Sequence, residues 1–380
     1  MKMIWCKSCI LPSTRPNLII EKNGNCSACN NHRTKKNVNW KKRKNEFEIL
    51  VNKIKKKNLR YDCVIPVSGG KDSTWQVIKC LEYGLNPLTV TWRSPQRTKI
   101  GEYNLQNLIS LGVDHIDWTI NPEIEKKLIL KSLKKLGSVS IAMHLGIFNI
   151  PVLVASKFAI PLIIWGENSA LEYGNIKKND NQKYLDKQWF KNYGVTNNTL
   201  AEDWISPGLT RGKMSSYLSY KSFSKKNVFH PVSIFLGHYF KWDPKKTFQI
   251  AKKNGFKAEK KARTGFYNFA DIDDYSISIH HWLKWYKFGF TRLFDNLSLE
   301  IRNKRITRSK AIEIVKKDEL KPPMNDIRKF CKYIKISEVE FFKIAEKFRN
   351  KKIWKKNKNN QYFIENFITR IENHKMKIIK

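Results

Sequence analysis

Seven residues, Tyr61 to Val67 (YDCVIPV), form a mostly apolar run and are followed at once by Ser68-Gly69-Gly70-Lys71-Asp72-Ser73 and a helical pattern. A short apolar run without alternation reads as a strand buried on both faces. A strand that passes through two glycines straight into a helix begins a βα unit, and its return needs a parallel neighbour. This junction restricts the chain more than any other feature: the core has to be a layered α/β sheet.

The pattern repeats downstream. The helix over Asp72–Tyr83 closes on Gly84, and Leu88–Trp92 (LTVTW) reads as a second strand. A helix over Tyr103–Leu111 ends near Gly112, His115–Ile120 is a third strand and Pro161–Trp165 (PLIIW) a fourth. Strands alternating with helices predict a doubly wound, mainly parallel sheet. A Lys-rich helical stretch, Trp40 to Asn58, precedes it, with Phe47, Leu50, Val51 and Ile54 at helical spacing. Beyond about Asp243 the chain reads as helices and aromatic-rich loops. The expected parts are an N-terminal cysteine-bearing segment with its Lys-rich helix (1–58), the α/β domain (59–242) and a helical C-terminal region (243–380).

Leu136 to Ser156 is 21 residues without a formal charge, long enough for a bilayer span. His144, Asn149, three serines and Pro151 argue instead for a buried helix or helix pair on the sheet. Lys2, Lys7 and two cysteines within Met1–Cys9 argue against a signal peptide, so a cytoplasmic protein with no membrane span is expected. The net charge of +40 suggests a polyanionic partner. The excess is mostly Lys beside abundant Asn and Ile, however, and it is spread over both ends of the chain, with a run at Lys351–Lys358. Such a spread suits AT-rich coding and solvated faces better than a nucleic-acid footprint, so nucleic acid is not the expected partner.

Cys6-x2-Cys9 and, sixteen residues on, Cys26-x2-Cys29 pair four thiols at the spacing of two metal knuckles. A closed S4 set suits Zn2+ in a structural role, since no coordination position stays open for catalysis. A redox pair or buried thiols are the alternative, and His32 is a substitute ligand that four cysteines make unnecessary. Cys63, Cys80 and Cys331 lie in apolar or helical contexts and read as packing residues.

The chemistry of the loop follows from its placement. Gly69 and Gly70 let backbone approach phosphate oxygens, and the helix N-terminus offers unpaired N–H groups to an anion. Ser68 and Ser73 add hydroxyls, Lys71 a cation, and Asp72 a carboxylate to help hold Mg2+ or cap the helix. The pattern is not GxxxxGK[ST], so it is not a Walker A loop. Gly166-Glu167-Asn168 follows the fourth strand at the carboxyl end of the sheet, where open α/β folds bind ligands. Glu167 reads equally as a site acid or an ordinary loop acid. In His280–Arg292 (HHWLKWYKFGFTR), Lys287 and Arg292 are candidate anion contacts, while the aromatics read as core.

SGGKDS resembles the signature of the PP-loop ATP pyrophosphatases of HUP-like fold. WCKSCILPSTRPN, NCSACNNH, VIPVSGGKDST, IIWGENSALEYG, HHWLKWYKFGFTR, IRNKRITRSKAIEIV and KFRNKKIW, in that order, resemble the N-acetyl sugar amidotransferases of bacterial surface-polysaccharide and flagellin glycan synthesis. The likeness spans nearly the whole chain; Asn17 departs from it, where a glycine is expected after Thr-Arg-Pro.

The resemblance implies ATP, Mg2+ and a structural Zn2+ on a zinc-ribbon-like segment. It implies ATP binding at Ser68 to Ser73, catalysis by Lys71, Asp72 and Glu167, and substrate contacts at Gly166, Asn168, Lys287 and Arg292. The implied reaction adenylates the oxygen of a sugar's N-acetyl group and lets ammonia displace AMP, giving an acetamidino sugar. The implied partners are a separate glutaminase subunit and a cyclase-like barrel that supply ammonia. Two other readings stand beside it: a tRNA-modifying PP-loop enzyme, and a zinc-ribbon scaffold with a degenerate nucleotide site.

Overall fold

The computed structural model describes residues 3–175, 183–218 and 229–371. After the cysteine-bearing turns come α1 (Ser27–Thr34) and α2 (Trp40–Lys55). Asn39 caps α2 by accepting from Lys42 N at 2.9 Å, and Phe47, Val51 and Ile54 form its buried stripe.

The α/β unit then runs β1 (Cys63–Pro66), α3 (Lys71–Glu82), β2 (Pro87–Trp92), α4 (Lys99–Ile109), β3 (Asp114–Trp118), α5 (Pro122–Leu136), α6 (Ile141–Lys157) and β4 (Leu162–Trp165). It continues through α7 (Ser169–Tyr173), α8 (Lys187–Tyr193), β5 (Val232–Phe235), α9 (Leu236–Tyr239) and α10 (Pro244–Lys253). The five strands form one parallel sheet in the order β3-β2-β1-β4-β5, with Val64 of β1 opposite Leu88 of β2 and Ile163 of β4. The winding reverses between β1 and β4. That switch point opens a crevice at the carboxyl ends of both strands.

Side chains alternate across the sheet into two cores. Val64, Leu88, Val90, Ile163 and Phe235 share one with α5 and α6, whereas Cys63, Ile65, Leu162, Ile164 and Ile234 share the other with α2 and α3. Burial on both faces explains the unbroken apolar runs in the sequence. The uncharged stretch resolves into the end of α5 and then α6, which packs on β1, β2 and β4 with Pro151 buried inside it. Among the described residues, no helix is long and apolar enough to cross a membrane.

The C-terminal region holds α11 (Ser276–Phe288), α12 (Arg292–Arg302), α13 (Arg308–Lys317), α14 (Met324–Ile334) and α15 (Glu338–Lys347). An antiparallel hairpin of β6 (Trp354–Lys356) and β7 (Tyr362–Ile364) follows, where helices and loops are expected from sequence, and it takes in part of the Lys351–Lys358 run. Met3, Trp5, Ile10 and Leu11 pack with Phe290, Phe294, Leu297, Ile312, Trp354 and Ile368 in one apolar cluster. The two ends of the chain therefore share a core. Trp5 Nε1 donates to Asn366 O at 2.7 Å, and Arg308 Nε donates to Cys9 O at 3.1 Å.

Candidate active site and metal site

The phosphate-type loop sits at the switch point. Gly69 adopts φ +81°, and a Cβ there would lie 2.6 Å from Leu105 N, so backbone of α4 fills the space a side chain would need. Gly70 precedes α3 in extended conformation, and its N–H donates to Ser68 Oγ at 3.3 Å. Gly70 O accepts from Ser73 Oγ at 2.9 Å and from Thr74 Oγ1 at 3.0 Å, which pins the turn to the helix it starts.

Lys71 pairs with Asp72 Oδ2, and its ammonium lies 5.8 Å from the Trp242 ring and 5.9 Å from the Phe269 ring. Asp72 Oδ1 accepts from Trp242 Nε1 at 3.0 Å and from Thr247 Oγ1 at 2.9 Å. The carboxylate is thus held from both sides before any ligand arrives.

Ser68, Gly70, Lys71, Asp72 and Ser73 line a cavity of about 440 Å3, together with Gly166 and Glu167 from the end of β4. One wall is apolar and is made by Met143, Ile147 and Phe148 of α6 with Trp165, Trp189 and Phe235. Phe148 lies 5.1 Å from Trp165, ring centre to ring centre. Polar residues also line the cavity: Ser94, Arg97, Asp271, Asp273, Asp274 and Arg292. Burial, then the neighbouring Asp72 charge, push the Glu167 carboxyl up to about 7. Burial also pushes Asp274 up to about 6, although it accepts from Ser94 Oγ and caps α11 through Ser276 N at 2.6 Å. A carboxyl titrating near neutrality beside a phosphate-type loop is suited to proton transfer.

Residues 263–369 match the C-terminal domain of the WbpG-like LPS biosynthesis proteins. The match takes in α11 to α15, the hairpin, and the Asp271–Asp274 and Arg292 part of the cavity wall. No curated protein matches the chain. Solved structures that match include an NMN synthetase from Francisella tularensis, at 12% identity over 72% of this chain and 94% of that one, with a TM-score of 0.31. At that score the likeness adds nothing to the topology read from the sheet itself.

Not every sequence candidate reaches the cavity. Asn168 is buried beside it, but its Oδ1 caps α7 through Ala170 N at 3.0 Å and accepts from Trp189 Nε1 at 3.0 Å. That oxygen is committed to structure, and Asn168 is not among the residues lining the cavity. Lys287 is also displaced from the site. Its Nζ donates to Leu136 O at 3.4 Å, outside the cavity lining. Gly289, at φ +69°, ends α11 between Lys287 and Arg292 and turns the two onto different surfaces. Arg292 does reach the wall, with Nε on Asp271 Oδ2 at 3.0 Å. As the sequence suggests, the aromatics of α11 are packing residues: Trp282 contacts Tyr286, Phe341 and Phe342, and Trp285 contacts Trp354 and Phe367.

Sequence reading missed the whole 270–274 acidic segment (ADIDD), Ser94, Arg97, Trp242 and Thr247. The run of three acids within four residues, in a chain otherwise dominated by Lys, is the signal that was available.

The four paired cysteines converge, with all their sulfurs within 4.8 Å of one another and all four residues buried. Cys9 and Cys26 Sγ lie 3.6 Å apart, and Cys6 and Cys29 Sγ 3.9 Å apart. A thiolate tetrahedron around Zn2+, at bonds of ~2.3 Å, has edges of about 3.8 Å, so the set fits such an ion. Cys6 Sγ accepts from Cys9 N at 3.4 Å and from Cys26 N at 3.2 Å, the backbone support expected of a thiolate. His32 is not part of the cluster.

Proposed function

We propose that the chain is a PP-loop-type ATP-dependent ligase that adenylates the N-acetyl oxygen of a sugar for surface-polysaccharide synthesis and lets ammonia displace AMP. The observation that carries this reading is one cavity lined by the SGGKDS loop, Glu167 and a group of apolar side chains. The WbpG-like match over 263–369 supports the polysaccharide context.

ATP would lie with its phosphates over Ser68, Gly70 and Ser73 at the α3 N-terminus, with Lys71 near the departing pyrophosphate. Asp72 is the carboxylate we assign to Mg2+ carried by the phosphates. An amide carbon is a weak electrophile. Attack of its oxygen on the α-phosphorus expels pyrophosphate and leaves an imidate, whose carbon then accepts ammonia. AMP departs with the former amide oxygen, and the proton shed by the added nitrogen goes to a base, a role we assign to Glu167. The methyl of the N-acetyl group suits the Phe148–Trp165 wall.

Zinc, held by Cys6, Cys9, Cys26 and Cys29, would supply folding energy and no step of the reaction. Ammonia would come from a separate glutaminase working with a cyclase-like barrel partner. The deciding experiment is mass spectrometry of the products formed from ATP, Mg2+, ammonium and a panel of N-acetylated sugars. AMP, pyrophosphate and a sugar in which O is replaced by NH are expected; ADP and phosphate would overturn the reading.

A further inference from the structure

The apolar wall that α6 presents to the cavity contains a histidine. Met143, His144, Ile147, Phe148 and Pro151 line the cavity from this helix, and His144 is the polar residue among them. It stands one turn before Phe148, on the same helix face. Its Nδ1 lies 2.7 Å from Ser140 O, which also accepts from the His144 backbone N–H at 3.0 Å. A carbonyl oxygen can only accept, so this bond fixes the tautomer: Nδ1 carries the proton and Nε2 a lone pair.

Nε2 has no protein partner among the described residues, and it is not sealed in, because the ring is half-buried at the cavity surface. Burial lowers the His144 pKa to about 4; the Lys284 charge on α11 adds to this, and the bond to Ser140 O opposes it. On the same side, His280 of α11 lies 5.9 Å away, ring centre to ring centre, with its Nδ1 2.8 Å from Ser140 Oγ. Burial lowers its pKa as well, so both rings are neutral at neutral pH. A ring kept for packing alone needs no open nitrogen. Phenylalanine would complete this wall without the cost of placing a polar atom in it.

We propose that His144 is a catalytic residue of the adenylation step: its Nε2 accepts the N–H of the sugar's N-acetyl group while the oxygen of that group attacks phosphorus. The inference rests on the proposed reaction. A trans amide is planar with its C=O and N–H on opposite sides, so the N–H shares an edge with the methyl. A methyl seated against Phe148 and Trp165 brings that N–H to His144 and turns the oxygen toward the phosphate loop. As the O–P bond forms and the bond from phosphorus to pyrophosphate breaks, the nitrogen lone pair moves into the C–N bond. The proton stays on the nitrogen, which becomes positive, so its hydrogen bond to a neutral imidazole strengthens in the transition state. An imidazolium could not accept that bond and would repel the new charge.

The test uses the full chain and the N-acetylated sugar of the panel that elicits AMP. Exchange of labelled pyrophosphate into ATP, without ammonia, measures adenylation alone. His144→Phe keeps the ring and removes the acceptor; His144→Gln loses the ring and keeps an acceptor of similar reach. Exchange should fall about a hundredfold with phenylalanine and about tenfold with glutamine, with ATP KM unchanged in both. The N-methyl derivative of the same sugar, a tertiary amide without an N–H, should exchange about a hundredfold more slowly in the unaltered chain and no more slowly again in His144→Phe. A packing role gives the reverse order, with the phenylalanine variant the more active, and that order overturns the assignment. So does a His144→Phe penalty equal for the secondary and tertiary amides. Should His144→Phe not fold, the glutamine variant decides with the same two sugars, since its penalty has to be confined to the secondary amide. AMP formation indifferent to both substitutions rejects His144 alone, whereas a panel in which no sugar elicits AMP rejects the proposed reaction and this role with it.

Discussion

The indole Nε1 of Trp242 donates to Asp72 Oδ1 across 3.0 Å, joining residues 170 positions apart. With Thr247 Oγ1 on the same oxygen, the segment entering α10 fixes the rotamer of an acid in the first turn of α3. Asp243 ties that segment in turn to Arg305 at 2.7 Å, so the C-terminal helices set the geometry of the loop. Trp242→Phe keeps the ring and removes the donor. We expect kcat for AMP formation to fall about tenfold, in keeping with the loss of one bond to a charged group, with little change in ATP KM or in melting temperature. An equal fall in stability and kcat would assign Trp242 to packing alone.

The two loop glycines should respond differently to a methyl group. Gly69→Ala forces a side chain into positive φ and against α4 backbone, which should cost on the order of 2 kcal/mol of stability by chemical denaturation. At Gly70 the only close neighbour of an added Cβ is Ser68 Oγ at 3.2 Å and φ is ordinary, so Gly70→Ala should fold normally and lose activity. Ser68→Ala and Asp72→Ala should likewise abolish AMP release with the fold kept. A Gly70→Ala enzyme of normal rate would mean that backbone approach at this point is not required.

Glu167 governs the pH profile in the proposed mechanism. Its folded pKa of about 7 stands above the ordinary 4.5, so the stability it contributes below about pH 4.5 is lost as pH rises through 7. The same deprotonation makes the base. At fixed free ammonia, kcat should rise through about pH 7, and Glu167→Gln should remove that limb and cost about a hundredfold in rate. An unchanged profile in the variant would assign the ionisation elsewhere.

One Zn2+ per chain is expected by elemental analysis, held by the four paired cysteines. Because those cysteines share a core with Phe290, Phe294 and Trp354, stripping the metal should loosen both ends of the chain together. Hydrogen exchange would show this as lost protection at α12 and β6 as well as near Cys6 to Cys29. Loss confined to the first thirty residues would separate the two ends energetically.

Ammonium salts at alkaline pH should support turnover by the isolated chain, and glutamine only after a glutaminase is added. Cys331 is buried on α14, where desolvation pushes its thiol up to about 11, far from the thiolate a glutaminase needs. Glutamate release by the isolated chain that vanishes in Cys331→Ala would reject the proposal.

Local chemistry is what the sequence determined by itself. Strand, glycine loop and helix are consecutive at residues 61–83, and each cysteine pair closes within a turn, so spacing alone located the phosphate-type loop and the four clustered thiols. β5 left little trace because Ser233 interrupts its apolar residues, and the β6–β7 hairpin because its strands are three residues long, with Lys355 and Lys356 exposed on β6. Tertiary structure decided the rest. Asn168 Oδ1, which caps α7, also accepts from Trp189 of a different helix, and Lys287 and Arg292 part company because Gly289 reverses the backbone between them. Trp242 meets Asp72, and Arg15 meets Asp295, only because the sheet's switch point and the shared core of the two chain ends draw distant segments together. Sequence periodicity reports which face of an element is apolar; which charged groups then meet across the folded interior depends on packing between elements far apart in the chain.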